Sequence, residues 1–130
     1  MKIVMLKLNE VAKQFLLSQI FLHPLFDVEF ADHITLNYNP TEDELEPYLA
    51  LEGQQIFITV EAVGRDKNIQ AVVVELPDDL ECANDIPHIT ISANRGVRPV
   101  TSNTMLQTLS NIKDLREPFT LETTLVIEER

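Results

Sequence analysis

Hydrophobic and polar positions change their period several times along the chain, and each change predicts a new element. Lys2–Leu8 mixes apolar and polar residues as a half-buried strand does. From Asn9, an N-cap residue type, Val11, Phe15, Leu16 and Ile20 recur at helical spacing, and Pro24 stops this helix near His23. Ile34 to Tyr38 reads as a second strand. Thr41-x-x-Glu44 has the form of a capping box, but Pro47 would break a helix begun there. A short, irregular helical turn is therefore expected between Thr41 and Leu51. Gln54–Ala62 and Ile69–Leu76 are strand patterns joined as a hairpin through Val63–Asn68, with Pro77–Ile86 as an acidic loop and Pro87–Ser92 as the next strand. Met105, Leu106, Leu109 and Ile112 then fall at helical spacing, with Thr101 or Ser102 as cap, and Phe119–Glu128 alternates as a final strand. No linker divides residues 1–130, so one α+β domain with mostly antiparallel strands and outer helices is expected.

Two of the predicted strands carry the same tetrad. His33-Ile34-Thr35-Leu36 returns as His88-Ile89-Thr90-Ile91, which places two of the three histidines in one setting. Side chains alternate across a strand, so His33 and Thr35 share one face while Ile34 and Leu36 share the other. The same holds for His88 and Thr90 against Ile89 and Ile91. Laid side by side, two such strands present two imidazoles and two hydroxyls to one groove. That set suits phosphoryl chemistry. A neutral imidazole takes a proton from the nucleophile, and a protonated one donates to the leaving oxygen. The hydroxyls hydrogen-bond the non-bridging oxygens as charge builds. An unperturbed histidine pKa of about 6.5 allows both forms near neutrality. The chemistry calls for no metal or cofactor. The competing reading is two half-buried histidines that have simply found partners in a sheet.

Charge narrows the partners. The formal net charge is −11. A nucleic-acid duplex binds through Lys and Arg that displace counterions, so a long duplex is an unsuitable partner and a nucleotide substrate should be small or held at one end. Trp is absent and aromatics are few, which argues against a stacking platform for long single strands. The single cysteine, Cys82, has Asp78, Asp79, Glu81 and Asp85 around it, which would raise its pKa and disfavour a nucleophilic role. A lone cysteine fits a reducing compartment. No segment approaches the roughly 20 apolar residues of a membrane span, and MKIVMLKLNE lacks signal-peptide order. A cytoplasmic protein is expected.

Paired His-x-Thr motifs on strands resemble the two-histidine (2H) phosphoesterase superfamily. The run HITISANRGVRPVTSN is similar to the segment after the second histidine in the cyclic phosphodiesterase domains of fungal- and plant-type tRNA ligases, which show a Gly-Val-Lys-Pro-like turn; Arg98 stands in the Lys place. The resemblance spans His33 to Asn103. It implies a two-lobed α+β fold with pseudo-twofold symmetry, one motif per lobe, and metal-independent opening of 2′,3′-cyclic phosphates of nucleotides or RNA ends, or cleavage of cyclic oligonucleotides. It implies His33, Thr35, His88 and Thr90 as catalytic residues. The residues themselves do not say which histidine is acid; the family analogy points to His33 as acid and His88 as base.

Arg95 and Arg98 follow the second motif and are candidates to hold a phosphate. Arg65 and Lys67 sit at a hairpin tip and read first as ordinary loop charges, with reach to a substrate as the alternative. Tyr38, five residues after His33, falls on the opposite face of a regular strand, and Asp32 faces away from His33. His23 is expected at the first helix end, Asn94 and Asn103 as turn and cap residues, and Gly96 at a positive-φ turn. Only three histidines exist, none at zinc spacing, so a metalloenzyme is disfavoured. A non-catalytic module that binds a cyclic nucleotide in the same groove is the main alternative to an enzyme. A bare interaction module is third.

Overall fold

The computed structural model describes residues 1–19 and 23–130. Its strands are β1 (Lys2–Leu8), β2 (Val28–Glu29), β3 (His33–Tyr38), β4 (Gln55–Arg65), β5 (Ile69–Glu75), β6 (His88–Ala93) and β7 (Ile112–Glu129). Three α-helices lie among the described residues: α1 (Glu10–Ser18), α2 (Glu42–Leu49) and α3 (Thr101–Leu106). Every strand pairing is antiparallel. The strand order β2-β6-β3-β1-β7-β4-β5 is closed by a further β5–β6 pairing, so the sheet forms a barrel. Closure removes exposed sheet edges.

Two apolar cores flank this sheet, and β5 serves both. Its run IQAVVVE is buried at every position but the last. Val72 and Val74 join the larger core with Leu6, Leu16, Ile34, Leu36, Ile89 and Ile91. Ile69, Ala71 and Val73 join Met105 and Leu106 of α3 in the smaller one. A strand covered on both faces reads as a continuous apolar run rather than an alternation.

Several predicted elements form with their predicted chemistry. Asn9 caps α1, its Oδ1 accepting from the Ala12 amide at 2.8 Å. Thr41 and Glu44 complete the capping box of α2, with Thr41 Oγ1 accepting from the Glu44 amide at 3.2 Å and Glu44 Oε1 from the Thr41 amide at 2.9 Å. The hairpin turn is closed by the Asp66 carboxylate, which accepts from the amides of Asn68 and Ile69.

Other expectations need correction. Pro47 lies inside a regular α2 and does not break it. Its missing amide would have served the Asp43 carbonyl, and both residues are exposed, where water replaces the bond. Tyr48 then anchors the helix by donating to the Glu81 carbonyl at 2.7 Å. The predicted core face of α1 is rotated: Ala12 and Leu16 are buried, whereas Val11 is 79% exposed. Phe15 is half exposed and packs edge-on against Phe119, with ring centroids 5.7 Å apart. Ile20 lies outside the described residues, and His23 lies beyond the end of α1 at Ser18.

The last predicted helix is six residues long. Its N-cap is Val100, with no side-chain cap from Thr101 or Ser102. Asn111 Nδ2 donates to the Met105 carbonyl at 2.9 Å and occupies the helix end. Leu109 falls in a 3-10 turn and is exposed, and Ile112 opens β7 opposite Gly64. The final strand is therefore much longer than Phe119–Glu128. Pairing with β4 jumps from Phe119 to Asp114, so Pro118 sits in a bulge where no ladder donor is required.

Helix α3 approaches β4 closely at Gly64. A Cβ there would overlap Leu106 Cδ2 and crowd Met105 Sδ, both buried. Gly64→Ala is expected to destabilise the fold by about 1–3 kcal/mol through overpacking. Urea unfolding checks this, with a lower midpoint at unchanged slope.

Candidate active site

β3 and β6 share an edge at Ile34 and Ile89. Carried one residue in either direction, this antiparallel register sets His33 opposite Thr90 and Thr35 opposite His88. The polar residues of the two motifs thus flank this one pair. The strands also deform alike. The β1 partners of β3 jump from Asn37 to Thr35, which leaves Leu36 as a bulge. The β5 partners of β6 jump from Ser92 to Thr90, which leaves Ile91 as a bulge. The fourth residue of each tetrad is bulged, and its carbonyl finds a partner outside the interrupted ladder: Leu36 O accepts from Ala83 N at 2.7 Å, and Ile91 O from Phe30 N at 2.8 Å. A third irregularity precedes His33, where Ala31 holds φ 57° and donates to the Thr90 carbonyl at 2.8 Å. Left-handed backbone at a non-glycine residue stores strain, and such strain gathers at functional sites.

These strands open onto a cleft of about 350 Å³, lined by His33, Thr35, His88 and Thr90 together with residues from two flanking segments. The acidic loop contributes Asn84. It is fixed to β3 through the Thr35 carbonyl, which accepts from Cys82 Sγ at 3.5 Å and Asn84 Nδ2 at 3.4 Å. The segment that leads into α3 contributes Arg98, Pro99, Val100 and Asn103. Below them Ser102, fully buried, places its Oγ 2.9 Å from Thr90 Oγ1, and either hydroxyl can be the donor.

All four tetrad residues come together, as does Arg98, the one cation among the described lining residues. Arg95 does not line the cleft; it lies exposed on the turn that Gly96 makes at φ 89°. Arg65 and Lys67 do not line it either. Their turn is tied to the same loop, since Asn94 Nδ2 donates to the Lys67 carbonyl at 3.2 Å. Tyr38 does line it, contrary to the strict alternation of a regular strand. The bulge at Leu36 inverts the parity, and Tyr38 emerges beside the histidines with 62% of its surface exposed. Asp32 likewise lines the cleft rather than turning away, its Oδ1 accepting from Lys13 Nζ at 3.3 Å. Ser102 escaped sequence reasoning as a site residue because a serine near a helix start reads first as a cap.

The two imidazoles differ in surroundings. His88 Nδ1–H donates to the Ile86 carbonyl at 2.8 Å, which leaves Nε2 as the free nitrogen of the neutral ring. Burial lowers its pKa below the ordinary 6.5, against a smaller rise from that carbonyl. Burial also lowers the pKa of His33, opposed by the charge of Asp32 and, more weakly, Glu128, and aided by Arg130 and by Lys7, its cross-strand neighbour. Cys82 is shifted upward, as expected, but mainly because it is buried rather than through acidic neighbours. Among the described residues no group of three His, Cys, Asp or Glu side chains is arranged to hold a metal ion. Among them, too, no helix is long and apolar enough to cross a membrane.

The fold is thus an α+β antiparallel barrel in which two histidines and two threonines line a single cleft. Residues 29–125 match the family described as the fungal tRNA ligase phosphodiesterase domain, and the chain belongs to that family. The match covers most of the chain and extends past Asn103, where the sequence resemblance stops. Membership supports a cyclic phosphodiesterase in general. Comparison with curated proteins finds no match.

Both rings are expected to titrate below 6.5 in a 15N- or 13C-detected histidine titration. Stability should follow the same shift. The unfolded chain binds histidine protons near 6.5 and the fold resists them, so the contribution of the neutral rings is complete above that pH and is lost as pH falls below it. Denaturant unfolding between about pH 7.5 and pH 5 should show this slope, and the double variant His33→Gln, His88→Gln should show less of it.

Proposed function

We propose that this protein is a metal-independent phosphodiesterase acting on 2′,3′-cyclic phosphates of nucleotides or RNA ends, or on cyclic oligonucleotides, with His33 and His88 as general acid and base. The observation that carries this reading is the antiparallel register at Ile34 and Ile89, which aims both His-x-Thr faces into one cleft. A two-lobed, pseudo-twofold plan of the family's kind is supported by the matching bulges at Leu36 and Ile91.

The different surroundings of the two rings support this assignment of roles. His88, its Nδ1–H committed to Ile86, turns an unprotonated Nε2 to the cleft and serves as base. It takes a proton from water as the oxygen bonds to phosphorus. His33 serves as acid; Asp32 and Glu128 oppose, without outweighing, the burial that lowers its pKa. It gives its proton to the ribose oxygen as that P–O bond breaks. The product is a ribose phosphomonoester with one free hydroxyl, and the proton pair is balanced by its reverse transfer through solvent. Thr35 and Thr90 donate to the non-bridging oxygens. Thr90 Oγ1 lies 2.9 Å from Ser102 Oγ and 3.5 Å from the Pro99 carbonyl, so its proton turns to phosphate when Ser102 is the donor of that pair. Arg98 offsets the phosphate charge, worth most where water is excluded. The substrate enters as a small anion and the surface, at net −11, admits no long duplex.

Turnover of a 2′,3′-cyclic nucleotide or an RNA ending in a cyclic phosphate should persist in EDTA. His33→Ala and His88→Ala should each lower kcat by about 10²–10⁴. Loss of turnover in EDTA would remove the metal-free mechanism, and tight binding without turnover would make the protein a sensor. The rising limb of kcat/KM against pH, which reports the base in the free enzyme, should lie below pH 6.5.

A further inference from the structure

The catalytic cleft has an extension that the proposed reaction leaves unused. A smaller hollow of about 200 Å³ is lined by Ala83, Asn84, Asp85, Ile86, Asn103 and Gln107. Asn84 and Asn103 line the main cleft as well, so the two spaces meet at that pair of amides. They meet on the His88 side, because the carbonyl that fixes the His88 ring belongs to Ile86 of the extension.

The lining chemistry of the two spaces differs. The main cleft holds both histidines, both threonines and Arg98. The extension holds no Lys or Arg among its described residues and does hold Asp85. A phosphate therefore belongs in the main cleft and is disfavoured in the extension. What remains there is three carboxamides. Each offers two N–H donors and a carbonyl acceptor in one plane. The backbone amides of Asn103 and Gln107 are spent on Val100 O and Thr104 O within the turn. Asn84 uses one donor on the Thr35 carbonyl and keeps its oxygen. Paired donors and acceptors of this kind read the edge of a nucleobase, as Asn and Gln do on adenine.

We infer that this amide-lined extension is a subsite for the base of a second nucleotide, so that the preferred substrate carries two bases rather than one. The inference rests on the phosphodiesterase reading of the main cleft. The second base has two possible sources, the penultimate nucleotide of an RNA end or the other half of a cyclic dinucleotide.

The test compares kcat/KM for a 2′,3′-cyclic mononucleotide, a dinucleotide ending in a 2′,3′-cyclic phosphate and a panel of cyclic dinucleotides, using the whole protein and Gln107→Ala. Gln107 is exposed and lines only the extension, so its truncation should spare the fold. At least one two-base substrate should exceed the mononucleotide by about tenfold or more, and Gln107→Ala should lower that ratio by about fivefold or more, as loss of a base contact does. The substrate that shows the preference identifies the source. A His33- and His88-dependent mononucleotide activity with no two-base preference, or a preference untouched by Gln107→Ala, would overturn the subsite and leave the phosphodiesterase standing. Absence of turnover on every substrate would overturn both.

Discussion

The contact between β3 and β6 is narrow, and the site exists because of it. Only Ile34 and Ile89 pair across the seam between the two motif strands. A longer ladder would draw the strands flat and place side chains of the two tetrads in direct cross-strand packing. With a single pair, the strands hold together through their buried faces while the polar faces part enough to leave a cleft. The apolar half of each tetrad is thus as necessary as the polar half. Ile34, Leu36, Ile89 and Ile91 are all fully buried in the larger core, and they set the direction of His33, Thr35, His88 and Thr90. Replacing one of these aliphatics would displace the polar residues of its own strand.

The supports behind the seam are layered in sequence order but act together. α2 is capped by Thr41 and held by Tyr48 on the Glu81 carbonyl. Glu81 belongs to the acidic loop, and the next residues of that loop serve the Thr35 and Leu36 carbonyls. The same loop supplies Ile86 to orient the His88 ring. A segment that composition marks as solvated and acidic therefore connects a helix cap to both tetrad strands. On the other side α3, packed against Gly64, holds Ser102 beneath Thr90. The His88 ring and the Thr90 hydroxyl thus have their neighbours placed by separate elements, which is how supporting contacts lock side-chain geometry.

Much of this was legible in the sequence where local chemistry decides the outcome. The two tetrads, the Asn9 and Thr41 caps and the Pro77–Ile86 loop follow from residue type and short spacing. Failures came where tertiary pairing overrides the local pattern. Tyr38 was assigned to the wrong face because alternation assumes an unbroken ladder, and the Leu36 bulge cannot be seen in HITLNY. Leu109 and Ile112 fit a helix by spacing, yet Gly64 of β4 recruits Ile112 into a strand. Val11 and Ala12 compete for the inner face of α1, and the apolarity of valine gave the wrong choice, since only contact with the sheet settles helix rotation. Asp32 was misdirected for a different reason: the left-handed Ala31 reorients the backbone just before it.

Charge then limits what the assembled site can accept. The chain carries −11, and Arg98 is the single described cation in the cleft. Repulsion from exposed carboxylates is screened over about 8 Å at physiological salt, so one phosphate seated between two imidazoles and Arg98 feels mainly its immediate neighbours. Each further phosphate outside that pocket meets the unfavourable surface without a compensating contact. Affinity for longer nucleic acids must therefore come from bases and sugars rather than from the backbone, the reverse of the usual balance. An amide-lined space next to the histidines supplies contacts of that kind. On the phosphodiesterase reading, the acidic surface and the cation-free extension would favour the same ligand: few phosphates, one of them cyclic, with bases close at hand.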